Sequence, residues 1–180
     1  MSRLLSLAAE NPITVALPFK DFTKGELVRG LAGEGLQNVA RNTVSCANIH
    51  CSGIGQSCGF CPACIFRRLA LHAAGIEEPG SRYQVDLMSP TSGQVASEKL
   101  NYLKAFLLLV DHLEELDAGQ LPIAISRHLR QTGILKTGRP MQFYLELFRR
   151  YRAEWLSLVR SARANGCPWG GLIDLPTGAA

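Results

Sequence analysis

No stretch of this sequence is apolar enough to cross a bilayer. The longest wholly apolar run, Ala105 to Val110, is six residues, against the roughly 20 that a membrane helix needs. No Gly-x4-Gly-Lys-Ser/Thr or Gly-x-Gly-x2-Gly pattern is found, which removes the two commonest glycine-rich phosphate cradles. Gly53 and Gly55 lie close together, but no capped helix follows them directly, so they read as ordinary loop. There is no His-Glu-x2-His helix, and no side chains form a convincing catalytic set. Acidic residues are scarce in one region only. Residues 120–180 hold 3 Asp/Glu against 9 Lys/Arg, a balance of +6, whereas residues 1–119 hold 12 against 10, a balance of −2. A basic C-terminal third can meet a nucleic acid or another polyanion, or it can simply be a solvated helix face. The N-terminal Met1 to Ala9 carries a short apolar stretch broken by Glu10-Asn11-Pro12. It reads as the end of an amphipathic helix rather than an export signal, so a cytoplasmic location is expected.

The 6 cysteines are not spread evenly. Cys58, Cys61 and Cys64 form Cys-x2-Cys-x2-Cys, and eleven residues separate Cys58 from Cys46. A thiolate is a soft ligand that suits zinc, and four of them close a tetrahedron. The triplet supplies three corners and a loop returns the fourth. An iron–sulfur cluster is an alternative, because Cys-x2-Cys-x2-Cys with a remote cysteine also serves ferredoxins. There, however, Pro usually follows the remote cysteine, and here Ala47 follows Cys46. Disulfides or a redox Cys-x2-Cys pair are further alternatives. Four cysteinates on a divalent ion leave a local charge of about −2, which Arg67 and Arg68, one turn past Cys64, are placed to offset. Cys51 reads as a free thiol that could compete as a ligand, Cys167 as a packed thiol, and His50 and His112 as surface or core histidines.

Ile13 to Leu17 reads as a short β-branched strand ended by Pro18. Thr23-Lys24-Gly25-Glu26 fits a capping box at the start of a helix that Gly33 and Gly35 stop. Together they suggest an α/β unit. Residues 40–60 read as loop, and Pro62 as the first position of a helix running to Ala74 and ended by Gly75. Glu77 to Ser81 is the expected internal boundary, dividing the chain into residues 1–78 and 79–180. Tyr83 to Leu87 reads as a short extended segment. The remainder reads as helical over 94–116, 122–131 and 140–164, with an irregular tail from Pro168. The last helix carries Leu145, Phe148, Trp155 and Val159 on one side and Arg149, Arg150, Arg152, Arg160 and Arg163 on the other.

The order of strand, Pro18, Thr23-Lys24-x-Glu26, Thr43-x-Ser45-Cys46-x-Asn48, Cys58-x2-Cys61-Pro62-x-Cys64-x2-Arg67 and Ala73-x-Gly75-Ile76 resembles the C-terminal half of the 7-cyano-7-deazaguanine synthases of queuosine biosynthesis, or of their relatives in anti-phage defence operons. The resemblance covers about residues 12–76. It implies the C-terminal part of a doubly wound α/β ATP-pyrophosphatase domain (adenine nucleotide alpha hydrolase-like), followed here by a mostly helical extension. It also implies a structural zinc on Cys46, Cys58, Cys61 and Cys64, and an ATP-dependent ligase that turns a carboxy-deazaguanine into the nitrile or amide through an adenylate. Lys24 would lie near the nucleotide phosphates, or be a solvated lysine of a first helical turn. Arg67 would touch the substrate or balance the thiolates.

Two departures shape what to expect. The family's ATP loop, Ser-Gly-Gly-x-Asp-Ser, does not occur in this sequence. An N-terminal ATP-binding portion or a sister subunit is therefore the expected partner, alongside the small-molecule substrate, and a homo-oligomer is a further possibility. No catalytic residue is assigned to this chain. The spacer from Cys46 to Cys58 is longer than the family's, and residues 81–180 exceed its usual short tail, which points towards a specialised relative such as a defence-system member. The alternative from a different class is a zinc-stabilised interaction module that binds nucleic acid or a protein through its basic C-terminal helix.

Overall fold

The computed structural model describes residues 2–14, 16, 18–48, 56–91, 97–116, 119–132 and 140–171. Among these, the chain is helical: α1 (Ser2–Ala9), α2 (Lys24–Gly33), α3 (Gln37–Asn42), α4 (Pro62–Ala73), α5 (Asn101–Glu115), α6 (Gln120–Thr132) and α7 (Met141–Ala164). Short 3-10 turns precede α5 (Ser97–Leu100) and follow α7 (Pro168–Gly171), and another spans Gly80–Arg82. The expected strand at 13–17 is not seen. Val15 and Leu17 lie outside the described residues, and Ile13, Thr14 and Ala16 are in no strand. Ile13 instead donates its amide to the Ser6 hydroxyl at 2.8 Å. The physical reason is simple: a single extended segment forms no ladder without a neighbouring strand, and the described residues offer none. Their β pairing is limited to an isolated parallel bridge, Ser57 with Tyr83.

The helix boundaries follow local chemistry. Thr23 caps α2, accepting from the Glu26 amide at 3.0 Å while the Glu26 carboxylate accepts from the Thr23 amide at 2.8 Å, so the capping box is complete. Pro62 opens α4. Gly75, with φ 68°, ends it in a left-handed turn that lets the Ile76 amide reach the Leu71 carbonyl at 2.9 Å. Ile76 then packs with Ala40 and Leu71. Pro168–Gly171, at the start of the stretch expected to be irregular, forms a 3-10 turn. Trp169 is buried and its indole N–H donates to the Leu87 carbonyl at 2.5 Å. Residues 172–180 lie outside the described part.

The main core joins both halves of the sequence. Ile65 and Leu69 of α4 pack with Leu87, with Leu103, Leu107 and Val110 of α5, and with Trp155 and Val159 of α7. Trp155 is fully buried beside Phe106, with ring centroids 6.1 Å apart, and Phe106 meets Phe66 at 4.6 Å. These offset contacts suit aromatic quadrupoles. A second cluster, Ile125 with Tyr144 and Leu145, holds α6 on α7.

Helix α7 also reaches the start of α2. The Thr23 hydroxyl donates to Glu154 Oε1 at 2.5 Å, and Arg150 pairs with Glu26 at 2.7 Å. Burial, more than any neighbouring charge, raises the Glu154 pKa above the ordinary carboxylate range. The approach is close enough to require glycine: a Cβ on Gly25 would stand 2.4 Å from Glu154 Oε1 and 2.7 Å from the Ala73 methyl. Gly30, on the same helix, has open space around it. The two glycines should therefore respond with opposite signs. Gly25→Ala is expected to destabilise by about 1–3 kcal/mol through overpacking, and Gly30→Ala to stabilise by about 0.5–1 kcal/mol through helix propensity, as read by urea unfolding.

Candidate metal centre

Cys61 is the N-cap of α4 and Cys64 sits in its first turn. Cys58 precedes them across the Gly59-Phe60 turn. Gly59 has φ 87°, a conformation that strains any L side chain, and a Cβ there would fall 2.0 Å from the Val85 carbonyl. Cys46 arrives from the loop after α3. The sulfurs of Cys46, Cys58, Cys61 and Cys64 all lie within 4.8 Å of one another, three of the residues buried and Cys46 partly so. None of the four is in a disulfide. Cys58 and Cys64 sulfurs are 3.9 Å apart, far beyond the roughly 2.05 Å of a disulfide. A tetrahedral ion holding sulfurs at about 2.3 Å spaces them about 3.8 Å apart, so the donor set fits a single closed ion site.

Polar hydrogens point at these sulfurs. The Cys58 amide donates to Cys46 Sγ at 3.3 Å, the Cys61 amide to Cys58 Sγ at 3.4 Å, and Asn48 Nδ2 to Cys58 Sγ at 3.8 Å. Burial works to raise the Cys61 thiol, but hydrogen bonds from the Ala47 and Cys64 amides, then from the Cys64 and Cys58 thiols, outweigh it and bring its pKa down to about 7. Burial raises those of Cys58 and Cys64. Four such groups crowded together favour a shared cation, which makes every thiolate a ligand instead of a repelling neighbour.

The two arginines after Cys64 each find a carboxylate partner. Arg67 pairs with Glu78 at 2.7 Å. It also donates to Thr43 Oγ1 at 2.6 Å, the Ala40 carbonyl at 3.1 Å and the Arg41 carbonyl at 2.8 Å. Arg68 pairs with Asp86 at 2.7 Å and stacks over the Tyr83 ring at 3.9 Å, and Tyr83 packs against Cys58, Cys61 and Cys64. Residues 82–85 bind the stretch before the turn, with Ser57 donating to Arg82 O at 2.8 Å, Gln84 to Ser57 O at 2.9 Å and Val85 to Cys58 O at 3.2 Å. The Tyr83 hydroxyl donates to Glu78.

Lys24 is exposed in the first turn of α2, at a cleft of about 420 Å³ lined also by Ala63, Phe66 and Glu154. Partial desolvation beside the cleft, then the charge of Arg67, lowers its pKa. His50 and Cys51 lie outside the described residues. Cys167 is buried, its thiol donating to the Met88 carbonyl at 3.0 Å, and His112 is exposed. The α7 arginines are largely engaged within the chain: Arg149 with Glu146, Arg150 with Glu26 and the Asp21 carbonyl, Arg163 with the Gly170 carbonyl. Reading the sequence missed Glu78, Tyr83 and Asp86. The one available signal was an acidic pair and an aromatic residue shortly after two arginines.

Residues 1–75 match the model of a family described as queuosine biosynthesis protein QueC. The matched part contains all four cysteines and Arg67. No curated protein and no solved structure gives a significant match. No helix among the described residues is long and apolar enough to cross a membrane.

The turn geometry makes a sharp prediction. Gly59→Ala should lower affinity for Co²⁺, used as a spectroscopic stand-in, by about 10-fold or more, because the knuckle must reopen against Val85. Unchanged thiolate-to-cobalt absorption at limiting metal would contradict it.

Proposed function

We propose that this chain is the zinc-binding C-terminal part of a 7-cyano-7-deazaguanine synthase-like ATP-dependent ligase. The observation that carries the reading is the coincidence of the QueC match with the four converging sulfurs. Zinc is the ion best suited to four thiolates in a closed tetrahedron. With no position left open for water or substrate, its contribution is to fold the loop.

In this reading an N-terminal portion or a sister subunit carries the ATP loop, and the doubly wound sheet is completed across it. Two features support a missing neighbour. The β-branched segment at 13–17 has no strand to pair with among the described residues. In addition, Phe19, Phe22, Leu31, Leu36, Val39 and Val44, all within the matched region, are exposed. Six large apolar side chains left exposed within the matched region are what a surface covered by another portion would supply. The substrate would be a deazaguanine carboxylate activated as its adenylate, the location cytoplasmic, and the long extension fits a specialised member such as one serving anti-phage defence. Lys24, at the mouth of its cleft, would face the nucleotide. This chain's own residues hold the metal loop and offer the docking face.

The pure chain should release no pyrophosphate from ATP. Activity should arise only when a portion carrying Ser-Gly-Gly-x-Asp-Ser is added together with a carboxy-deazaguanine. Steady ATP turnover by the chain alone would overturn the proposal.

A further inference from the structure

The four ligands are not equally easy to bring together. Cys58, Cys61 and Cys64 lie on one turn and the helix it opens, so folding α4 places all three. Cys46 stands twelve residues upstream of Cys58, and closing that gap costs chain entropy. Something must hold the incoming arm, and α4 carries the means. Arg67, one turn beyond Cys64, is 5% exposed and grips the arm at three successive points: the carbonyls of Ala40 and Arg41 at the end of α3, and the hydroxyl of Thr43. Thr43 in turn donates to Ala40 O at 2.9 Å, which fixes its hydroxyl so that a lone pair faces Arg67. Glu78 holds the other edge of the guanidinium, from both Nε and Nη2, and supplies the charge that makes a buried arginine tolerable. Arg82 adds a donor to the same Arg41 carbonyl. A planar fork with five fixed donors can do this; a lysine cannot.

We propose that Arg67 is a positioning residue for the metal centre, holding the 40–43 arm so that Cys46 is delivered to the other three sulfurs. The inference rests on the metal reading above. It differs from a direct role on sulfur: among the described residues, the acceptors that the guanidinium meets belong to the arm or to Glu78. It also gives Glu78, just past the family-matched residues, a function in the centre: it sets the Arg67 fork. The prediction is selective. Weakening the clamp should loosen one ligand of four, and leave the turn-borne triplet in place.

The test is alkylation of the zinc-loaded full chain with excess iodoacetamide, resolved by cysteine through peptide mass spectrometry. In the wild type, zinc should protect Cys46, Cys58, Cys61 and Cys64 together. In Arg67→Lys, which keeps the charge and loses the fork, Cys46 should be modified about 10-fold faster than the other three. Thr43→Val, a milder change that removes one acceptor and keeps the Arg67–Glu78 pair, should show the same selectivity to a smaller degree, and decides the matter if Arg67→Lys does not fold. Uniform acceleration at all four sulfurs in both variants would mean that Arg67 supports the fold at large, and unchanged protection would mean that it supports nothing at the centre. Either overturns the inference while leaving the metal reading intact. A wild-type chain that takes up no zinc overturns the metal reading itself.

Discussion

Four sulfurs held within a few ångström of one another form an arrangement that protein chemistry tolerates in few ways. Left as thiols they pack poorly as hydrogen-bond partners; as thiolates they repel. Oxidation in pairs would draw them much closer than they are. A single soft cation resolves the conflict, and the amides aimed at the sulfurs fit a cluster that carries negative charge. Much of the surrounding structure serves this constraint. Gly59 supplies the turn, Pro62 and the Cys61 cap start α4 in the right place, and residues 82–85 lie along the turn's outer side.

Helix α4 links the centre to the rest of the chain. Its first turn carries ligands, its second carries Arg67 and Arg68, each paired with a carboxylate, and Ile65 and Leu69 enter the main core with Trp155. Residues beyond the QueC match are therefore in direct contact with the matched part. Glu154 and Arg150 of α7 meet the start of α2, while Tyr83 and Asp86 brace the metal loop. The basic character of α7, which by composition alone suggested a polyanion surface, is partly spent on these internal contacts.

What could be read from residues alone was the local chemistry. The cysteine spacing predicted that the four sulfurs converge, Thr23 and Glu26 announced their capping box, and Pro62 and Gly75 bounded α4 as expected. Periodicity located α5, α6 and α7, with α5 beginning at Asn101 after a 3-10 turn. What could not be read depended on partners distant in sequence. A β-branched run looks like a strand whether or not a neighbouring strand exists, so residues 13–17 suggested a sheet that the described residues do not form. Arg67 was expected to balance the thiolates or touch the substrate; the acceptors it meets among the described residues, Ala40, Arg41, Thr43 and Glu78, are brought to it only by folding. Trp169 looked like part of an irregular tail because nothing local reveals that the Leu87 carbonyl awaits its indole N–H.

The most direct test of the metal centre is the metal content of the purified chain by elemental mass spectrometry, with Cys61→Ser measured beside it. About one zinc per chain, lost or much reduced in the variant, is the expected result for a closed four-thiolate site. Iron with visible colour, or no metal and paired disulfides among these cysteines, would contradict it.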